Sequence, residues 1–269
     1  MKKWAAATAL VVAMPMASAK VLISIDGGLG FNLNSLSEDS NIANDIDLAK
    51  SESNGLGMEA NGGFYSWAKI SLPILPDVKL KYENLTMSGK NSAFTQDINF
   101  GPQAISVSGE VETEIDLSYL DMAFTYGIPL PMVNIDFGLN ARSLMGGLTV
   151  DSGAGHQEVD FTVPDSDTPL ILPMGYVAVE GSLPIPGIDI KVGGELVTLP
   201  LGDTNLTDWN IKGTWYAPLP SNMLVKLGVE TGFRHFSMTI GDSTLGYNTS
   251  DLASDISLSS FFIGGTLHF

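Results

Sequence analysis

The chain ends with Ser260-Phe261-Phe262-Ile263-Gly264-Gly265-Thr266-Leu267-His268-Phe269, a segment in which apolar residues recur at every second position. Positions 261, 263, 265, 267 and 269 hold Phe, Ile, Gly, Leu and Phe, and they alternate with Ser260, Phe262, Gly264, Thr266 and His268. A period of two over this length is typical of a β-strand with one apolar and one more polar face. The segment is therefore predicted to be a strand.

The same alternation recurs at 78–83, 132–142, 188–196, 208–216 and 225–230. Short proline-rich segments lie between such runs, at 73–76, 129–131, 184–187 and 218–221. The other connections are mostly longer, polar and acidic, at about 33–58, 88–112, 147–167 and 241–254, and one near 202–205 is short. Short turns that alternate with long loops are the asymmetry of an outer-membrane barrel, in which the short turns are periplasmic.

Four periplasmic turns join five hairpins, which gives ten strands. The sequence therefore predicts an all-β fold. This fold is a transmembrane antiparallel up-and-down β-barrel of about ten strands, with eight or twelve strands as alternatives and a soluble β-sandwich as the competing architecture. The expected strands are 20–32, 60–72, 77–88, 113–127, 132–146, 169–183, 188–201, 205–217, 222–240 and 255–269. Residues 88–112 are expected to be either a loose loop or an extra extracellular hairpin.

Composition and the first residues indicate an exported protein. The chain has 269 residues, 30 acidic against 13 basic residues and no cysteine. This acidity excludes a nucleic-acid footprint, and the absence of cysteine excludes disulfides and thiolate sites. Lys2 and Lys3, an apolar run over 4–14 and the A-x-A site of Ala17 and Ala19 predict a cleaved signal peptide over 1–19. The barrel would then occupy 20–269 and lie in the bacterial outer membrane.

Charged residues within the predicted strands share the polar parity, opposite the apolar row. A basic side chain facing lipid at the bilayer midplane costs roughly 2–4 kcal/mol, so this parity places the charges in the lumen. The expected lumen charges are Lys69, Lys79, Lys81, Glu83, Asp121, Asp136, Arg142, Lys191, Glu195, Asp208, Lys212, Lys226, Glu230 and Arg234. They predict either a salt-bridged, filled interior or a narrow polar pore.

Few residues suggest catalysis or metal binding. His235 and Ser237 share the outward parity of their strand, and this His-x-Ser resembles that of outer-membrane lipid A deacylases, although Met238 follows where that family has Asn. Asp160, Asp165 and Asp167 are candidates for a divalent-cation site in an acidic loop that lacks the spacing of an EF-hand. We expect neither a catalytic site nor a cofactor.

The segments 77–85, 133–139, 232–237 and 264–269 resemble a family of uncharacterised proteobacterial outer-membrane β-barrel proteins. Phe261, Ile263, Gly265, Leu267 and Phe269 look like the C-terminal signal that the barrel-assembly machinery reads. The resemblance implies residence in the outer membrane and supplies no catalytic residue.

The expected partners are outer-membrane lipids, lipopolysaccharide and, during biogenesis, the barrel-assembly machinery. The protein is expected to be a monomer. Three functions remain open: a structural or surface-interaction barrel, a narrow cation-preferring channel, and a lipid-modifying hydrolase using His235 and Ser237.

Overall fold

The computed structural model describes residues 23–42, 46–95, 97–100, 103–106, 109–153, 155–162, 168–201, 204–219, 225–241, 243–244, 247–248 and 254–269. The predicted signal peptide with Ala17 and Ala19 lies outside these ranges, as do Asp165 and Asp167. Among the described residues, no helix is long and apolar enough to cross a membrane.

The elements of the described ranges are all β-strands. They are β1 (Ser24–Leu36), β2 (Asn41–Ile42), β3 (Ile46–Asp47), β4 (Met58–Ala60), β5 (Gly63–Ser71), β6 (Asp77–Glu83), β7 (Thr86–Phe94), β8 (Asp97–Phe100), β9 (Gln103–Ser106), β10 (Gly109–Asp116), β11 (Tyr119–Leu130), β12 (Val133–Leu144), β13 (Gly147–Ser152), β14 (Gly155–Asp160), β15 (Ile171–Ser182), β16 (Asp189–Leu201), β17 (Thr204–Tyr216), β18 (Lys226–Ile240), β19 (Ser243–Thr244), β20 (Tyr247–Asn248) and β21 (Ser254–His268).

Ten of these strands form a closed antiparallel barrel, which confirms the predicted strand number. Their order is β1-β5-β6-β11-β12-β15-β16-β17-β18-β21, and β21 pairs with β1 to close the ring. Moving from Ile25 to its pairing partner on each successive strand leads once around the ring to Ser257. The carbonyl of Ser257 accepts a hydrogen bond from the amide of Ser37, which lies 12 residues after Ile25 in the chain. A stagger of this size tilts the strands by roughly 40° to the barrel axis.

The two ends of the barrel differ, as the sequence predicts. At one end, here called the turn end, short connections at 72–76, 131–132 and 183–188 join neighbouring strands. At Pro131-Met132 the turn places a non-glycine residue in the left-handed region, with φ 68° at Met132. The opposite end, here called the loop end, carries the connections 37–62, 84–118 and 145–170.

The predicted strand 20–32 ends too early at the loop end, because β1 pairs with β21 up to Leu36. The predicted strands 77–88 and 113–127 are also wrong at their loop-end boundaries. The barrel strand β6 ends at Glu83 and β11 begins at Tyr119, and the chain between them joins a second sheet. This sheet has the order β14-β13-β10-β7-β4, and β8 and β9, which lie between β7 and β10 in the chain, pair as a separate hairpin. The described parts of 88–112 and 147–167 are therefore mostly strands, and of the two expectations for 88–112 the extra hairpin is the correct one.

One apolar core joins the second sheet to the loop end of the barrel. The sheet contributes Met58, Met87, Val111, Ile115, Leu148 and Val150, and the barrel wall contributes Leu144, Leu172, Met174, Leu199, Leu206, Phe236, Met238 and Leu258. All of these side chains are buried. Burial of this much apolar surface holds the sheet against the barrel, because each fully buried aliphatic side chain stabilises the fold by about 1.5–3 kcal/mol.

The outer wall of the barrel is apolar. Along β1, Leu29, Phe31 and Leu33 are 67%, 69% and 74% exposed, and Leu139 on β12 is 70% exposed. The inward-facing neighbours Asn32 and Asn140 are buried. The barrel is therefore inside-out relative to a soluble protein, with polar residues within and an apolar belt outside.

Candidate functional site

The lumen holds a buried group of charges, here called the upper cluster, next to the apolar core. Its members are Lys81, Glu83, Tyr119, Asp121, Arg142, Asp208 and Arg234. Inward-facing positions alternate along each strand, so the next inward residues towards the loop end are Leu144 on β12, Leu206 on β17 and Phe236 on β18. The upper cluster therefore lies immediately beneath an apolar layer.

Two arginines organise the upper cluster. Arg142 Nε and Nη2 donate to the two oxygens of Asp121 at 2.8 and 2.7 Å, and Nη2 also donates to Asp208 at 2.8 Å. Arg234 Nε and Nη2 donate to Asp208 at 2.8 and 2.9 Å. Bidentate arginine–carboxylate pairs combine charge with fixed geometry, so both side chains are held in one orientation.

Tyr119 ties the arginines together. Its hydroxyl accepts from Arg234 at 2.9 Å and donates to Asp208 at 2.8 Å. The guanidinium of Arg142 stacks on its ring, with Cζ 3.6 Å from the ring centroid. Both side chains are fully buried, and the cluster therefore fills the cross-section on this side of the lumen instead of lining an open bore.

A second group of charges, the lower cluster, lies further towards the turn end. Lys79 is paired with Glu195, and Lys212 Nζ donates to Glu230 at 2.9 Å. Tyr65 Oη and Trp67 Nε1 each donate to the other oxygen of Glu230 at 2.9 Å. The two clusters together contain five carboxylates and five cations, so their formal charge is balanced.

A vestibule of about 230 Å³ opens at the turn end below the lower cluster. Lys69 is paired with Asp136, and its Nζ lies 3.4 Å from Asp77 Oδ2. Three further pairs lie at or near its rim: Lys191–Glu180 at 2.8 Å, Lys226–Asp189 at 2.7 Å and His268–Asp26 at 2.5 Å. Water therefore reaches the lumen from the turn end, whereas the loop end is covered by the apolar core.

The carboxylates Asp26, Asp77, Glu180 and Asp189 and the aromatic residues Tyr65, Trp67, Tyr119 and Tyr176 are interior residues that the sequence analysis did not single out. A signal was available, because Tyr65 and Trp67 have the same parity as Lys69 on β5. If every aromatic residue of a strand is assumed to face lipid, interior aromatic residues such as Tyr65 and Trp67 are missed.

The other candidate residues are placed apart from the lumen. His235 and Ser237 have the outward parity of β18, and His235 Nδ1 lies 3.2 Å from Ser259 Oγ on β21. Asp160 is exposed at the end of β14. Within the described ranges, no three His, Cys, Asp or Glu side chains are grouped closely enough to hold a metal ion.

The residues of the predicted assembly signal face outward on β21 and at Phe269 directly after it. Phe261, Ile263, Leu267 and Phe269 are exposed, and Gly265 shares their parity. Tyr126 and Trp215 are likewise exposed near the turn end of their strands. Tyr126, Trp215 and Phe269 are thus exposed aromatic residues along the turn-end border of the apolar belt, as expected where a barrel meets lipid head groups.

The second sheet presents an acidic outer face. Glu59, Glu112, Glu114, Asp151, Glu158 and Asp160 are exposed on it. Lys90 is paired with Glu110 at 2.8 Å, and this hydrogen bond and the attraction of the carboxylate raise the pKa of Lys90. Since the inner face packs on the barrel, only the outer face and the sheet edges are accessible.

Fold and lumen together define a closed antiparallel β-barrel of the transmembrane type. No protein-family model and no curated protein matches the chain. Among solved structures, the chain is similar to the crystal structure of a Pseudomonas aeruginosa FadL homologue, with 7% identity and a TM-score of 0.28. The match covers 91% of this chain and 89% of that chain. At this distance the likeness carries no functional argument.

Proposed function

We propose that this protein is an integral outer-membrane barrel that holds a rigid acidic sheet at the cell surface, in a structural or surface-interaction role. In this arrangement the apolar belt contacts lipid, the loop end faces outward next to lipopolysaccharide, and the turn end faces the periplasm. Concentrating charged residues inside supports this placement, because a lipid-facing lysine or arginine is costly.

The observation that carries the proposal is the single apolar core shared by barrel and sheet. An ion that entered this layer would lose its hydration without gaining a charged partner. Below the layer, the upper cluster pairs its own charges and leaves no excess of one sign to attract an ion. A barrel closed in this way is suited to anchoring a surface element and unsuited to conduction.

Introduced cysteines test the orientation. The chain has no cysteine of its own, so each variant carries one unique thiol. In intact cells, a membrane-impermeant maleimide should label Glu112→Cys on the sheet and should not label Ile185→Cys at the turn end. Ile185→Cys should become labelled after the outer membrane is permeabilised. Labelling of Ile185→Cys alone in intact cells would reverse the orientation and refute the proposal.

Planar-bilayer conductance tests closure. Refolded protein, with its fold verified by heat-modifiable gel migration, should insert without producing discrete current steps. Reproducible cation-selective steps would instead support the narrow channel. A large-pore porin refolded in the same detergent serves as the positive control for insertion.

The hydrogen bond that His235 makes does not favour the lipid-modifying alternative, because its partner is not Ser237. His235 bonds to Ser259 of the neighbouring strand, whereas a base that activated Ser237 would need to reach its hydroxyl. We therefore propose that Ser237→Ala leaves the acylation of lipid A unchanged, as measured by mass spectrometry of lipid A from cells that carry either form. A change in acylation would revive the hydrolase.

A further inference from the structure

The two edges of the second sheet are unequal. At one edge, β4 is covered, because Met58 N donates to Leu48 O at 2.7 Å. At the other edge, β14 pairs with β13 on one side only, and no strand of the described residues pairs with its other side. An exposed strand edge is a template on which another extended chain can form hydrogen bonds.

The pairing register shows which backbone groups of β14 face this edge. Phe161 N donates to Gly146 O at 2.9 Å, so the amides of Val159 and Gln157 point the same way, towards β13. The amides of His156, Glu158 and Asp160 then point away from β13. Asp160 O already accepts from Thr162 N, so the open groups are centred on His156 and Glu158. They suffice for a short added strand.

The side chains at this edge specify the charge of an incoming strand. Glu158 and Asp160 are exposed on the outer face of β14, and Glu112 and Asp151 lie on the same face of β10 and β13. On this face Lys90 is already paired with Glu110, and His156 Nδ1 lies 2.7 Å from Asp151 Oδ1, so Glu112, Glu158 and Asp160 carry the acidity that faces an incoming strand. A second copy of the chain would bring two acidic edges together, which like-charge repulsion disfavours.

We propose that the free edge of β14 is a docking site for an extended, cationic segment of another protein, which adds as a strand and has a basic residue at every second position. Alternation follows from the period of two, because only every second side chain of the added strand would share a face with Glu158 and Asp160. This inference rests on the proposed function, since the edge meets such partners only if the loop end faces outward.

The experiment uses the full mature chain, refolded in detergent, and fluorescence anisotropy of labelled ten-residue peptides. The first peptide alternates Lys with Thr, and the second contains the same residues as a lysine block followed by a threonine block. A third repeats the alternating sequence with N-methylated amides along one edge, which retains the charge and blocks strand addition. The matched protein variants are Glu158→Gln with Asp160→Asn at the free edge, and Glu59→Gln with Glu114→Gln further across the sheet.

The alternating peptide should bind at least about tenfold more tightly than the block and N-methylated peptides. The Glu158→Gln and Asp160→Asn changes should weaken its binding about tenfold, whereas Glu59→Gln with Glu114→Gln should change it little. Equal binding of all three peptides would show that the face attracts cations without strand addition and would overturn the proposal, as would the absence of binding. Since the assay uses purified protein, its outcome is independent of the orientation that cysteine labelling measures in cells.

Discussion

The hydroxyl of Tyr65 lies so close to the backbone of Gly264 that a Cβ atom at position 264 would come within 2.4 Å of its oxygen. Gly264 is opposite Gly30 in the pairing of β21 with β1, where the barrel closes. The buried ring of Tyr65 therefore packs over the junction of the first and last barrel strands, and its hydroxyl is held by Glu230. Closure of the ring thus depends on Gly264, which leaves room for the ring of Tyr65 on β5.

Replacement of Gly264 by alanine should destabilise the closed barrel. The new Cβ would also lie 2.5 Å from Leu29 O, a backbone atom that cannot move aside cheaply. Overpacking of this kind typically costs about 1–3 kcal/mol. The urea midpoint of unfolding, followed by tryptophan fluorescence, should fall accordingly. The adjacent Gly265→Ala is the control, because nothing lies within 4 Å of its added Cβ, and an equal loss in both variants would contradict the packing argument.

Loss of Arg142 should be among the most damaging single changes in the lumen. Arg142→Met leaves Asp121 and Asp208 buried without one of their cations, and breaking a buried pair by removing one partner costs about 3–5 kcal/mol. Lys226→Met is the matched control, because Lys226 and its partner Asp189 are each about one-third exposed at the rim. Such a pair contributes at most about 1 kcal/mol.

The denaturant midpoints of the two lumen variants provide the test. If Arg142→Met refolds poorly, the double variant Arg142→Met with Asp121→Leu removes the opposite charge as well. It should recover part of the stability that Arg142→Met loses, since less uncompensated charge remains buried. A double variant no more stable than the single one would show that the pairing is not what stabilises this region.

The barrel could be predicted from the sequence because the period of two reports directly which face of a strand meets which solvent. The alternation of Leu267 and Phe269 with Thr266 and His268 sufficed to place a strand, and Pro131 sufficed to place a turn, although Pro129 belongs to β11. The second sheet could not be separated from the barrel in this way. Val111 and Ile115 alternate with acidic residues just as a barrel strand would, and only long-range pairing determines that they face an apolar core instead of lipid.

The partners within the lumen were beyond the reach of the sequence for the same reason. Parity assigns Arg142, Asp121 and Asp208 to one side of the wall, but it does not state which of them meet across the interior. The stagger of the barrel decides this, since it brings residues far apart in the chain to one level. Tyr119 has the parity of Asp121 within the predicted strand 113–127, and it was missed because aromatic residues were assigned to the lipid-facing side by default.

A glycine at position 132 should stabilise the turn between β11 and β12. Met132 has φ 68° and is 56% exposed, so its side chain contributes little packing that would be lost. A left-handed conformation costs a non-glycine residue roughly 1–2 kcal/mol, and Pro131 before it already restricts the chain. Met132→Gly should therefore raise the denaturant midpoint by the equivalent of about 1 kcal/mol. Met145→Gly, at an exposed position without this backbone conformation, is the comparison and should not raise it.

Leu148→Ala should loosen the second sheet while the barrel stays closed. Leu148 is 1% exposed in the shared core, and truncation of a buried leucine costs about 2–5 kcal/mol. Because the cavity would lie between sheet and barrel, the loss of stability should affect mainly the sheet. Limited proteolysis of the folded variant should therefore cut within 84–118 and 145–170 sooner than it cuts the unaltered protein. Thr149→Ala, the neighbour that faces the opposite way, should leave the cleavage rate unchanged. Leu148→Ala would contradict this expectation if it abolished the heat-modifiable gel shift along with protease resistance. Sheet and barrel would then unfold as one cooperative unit, and the barrel would require the sheet instead of anchoring it.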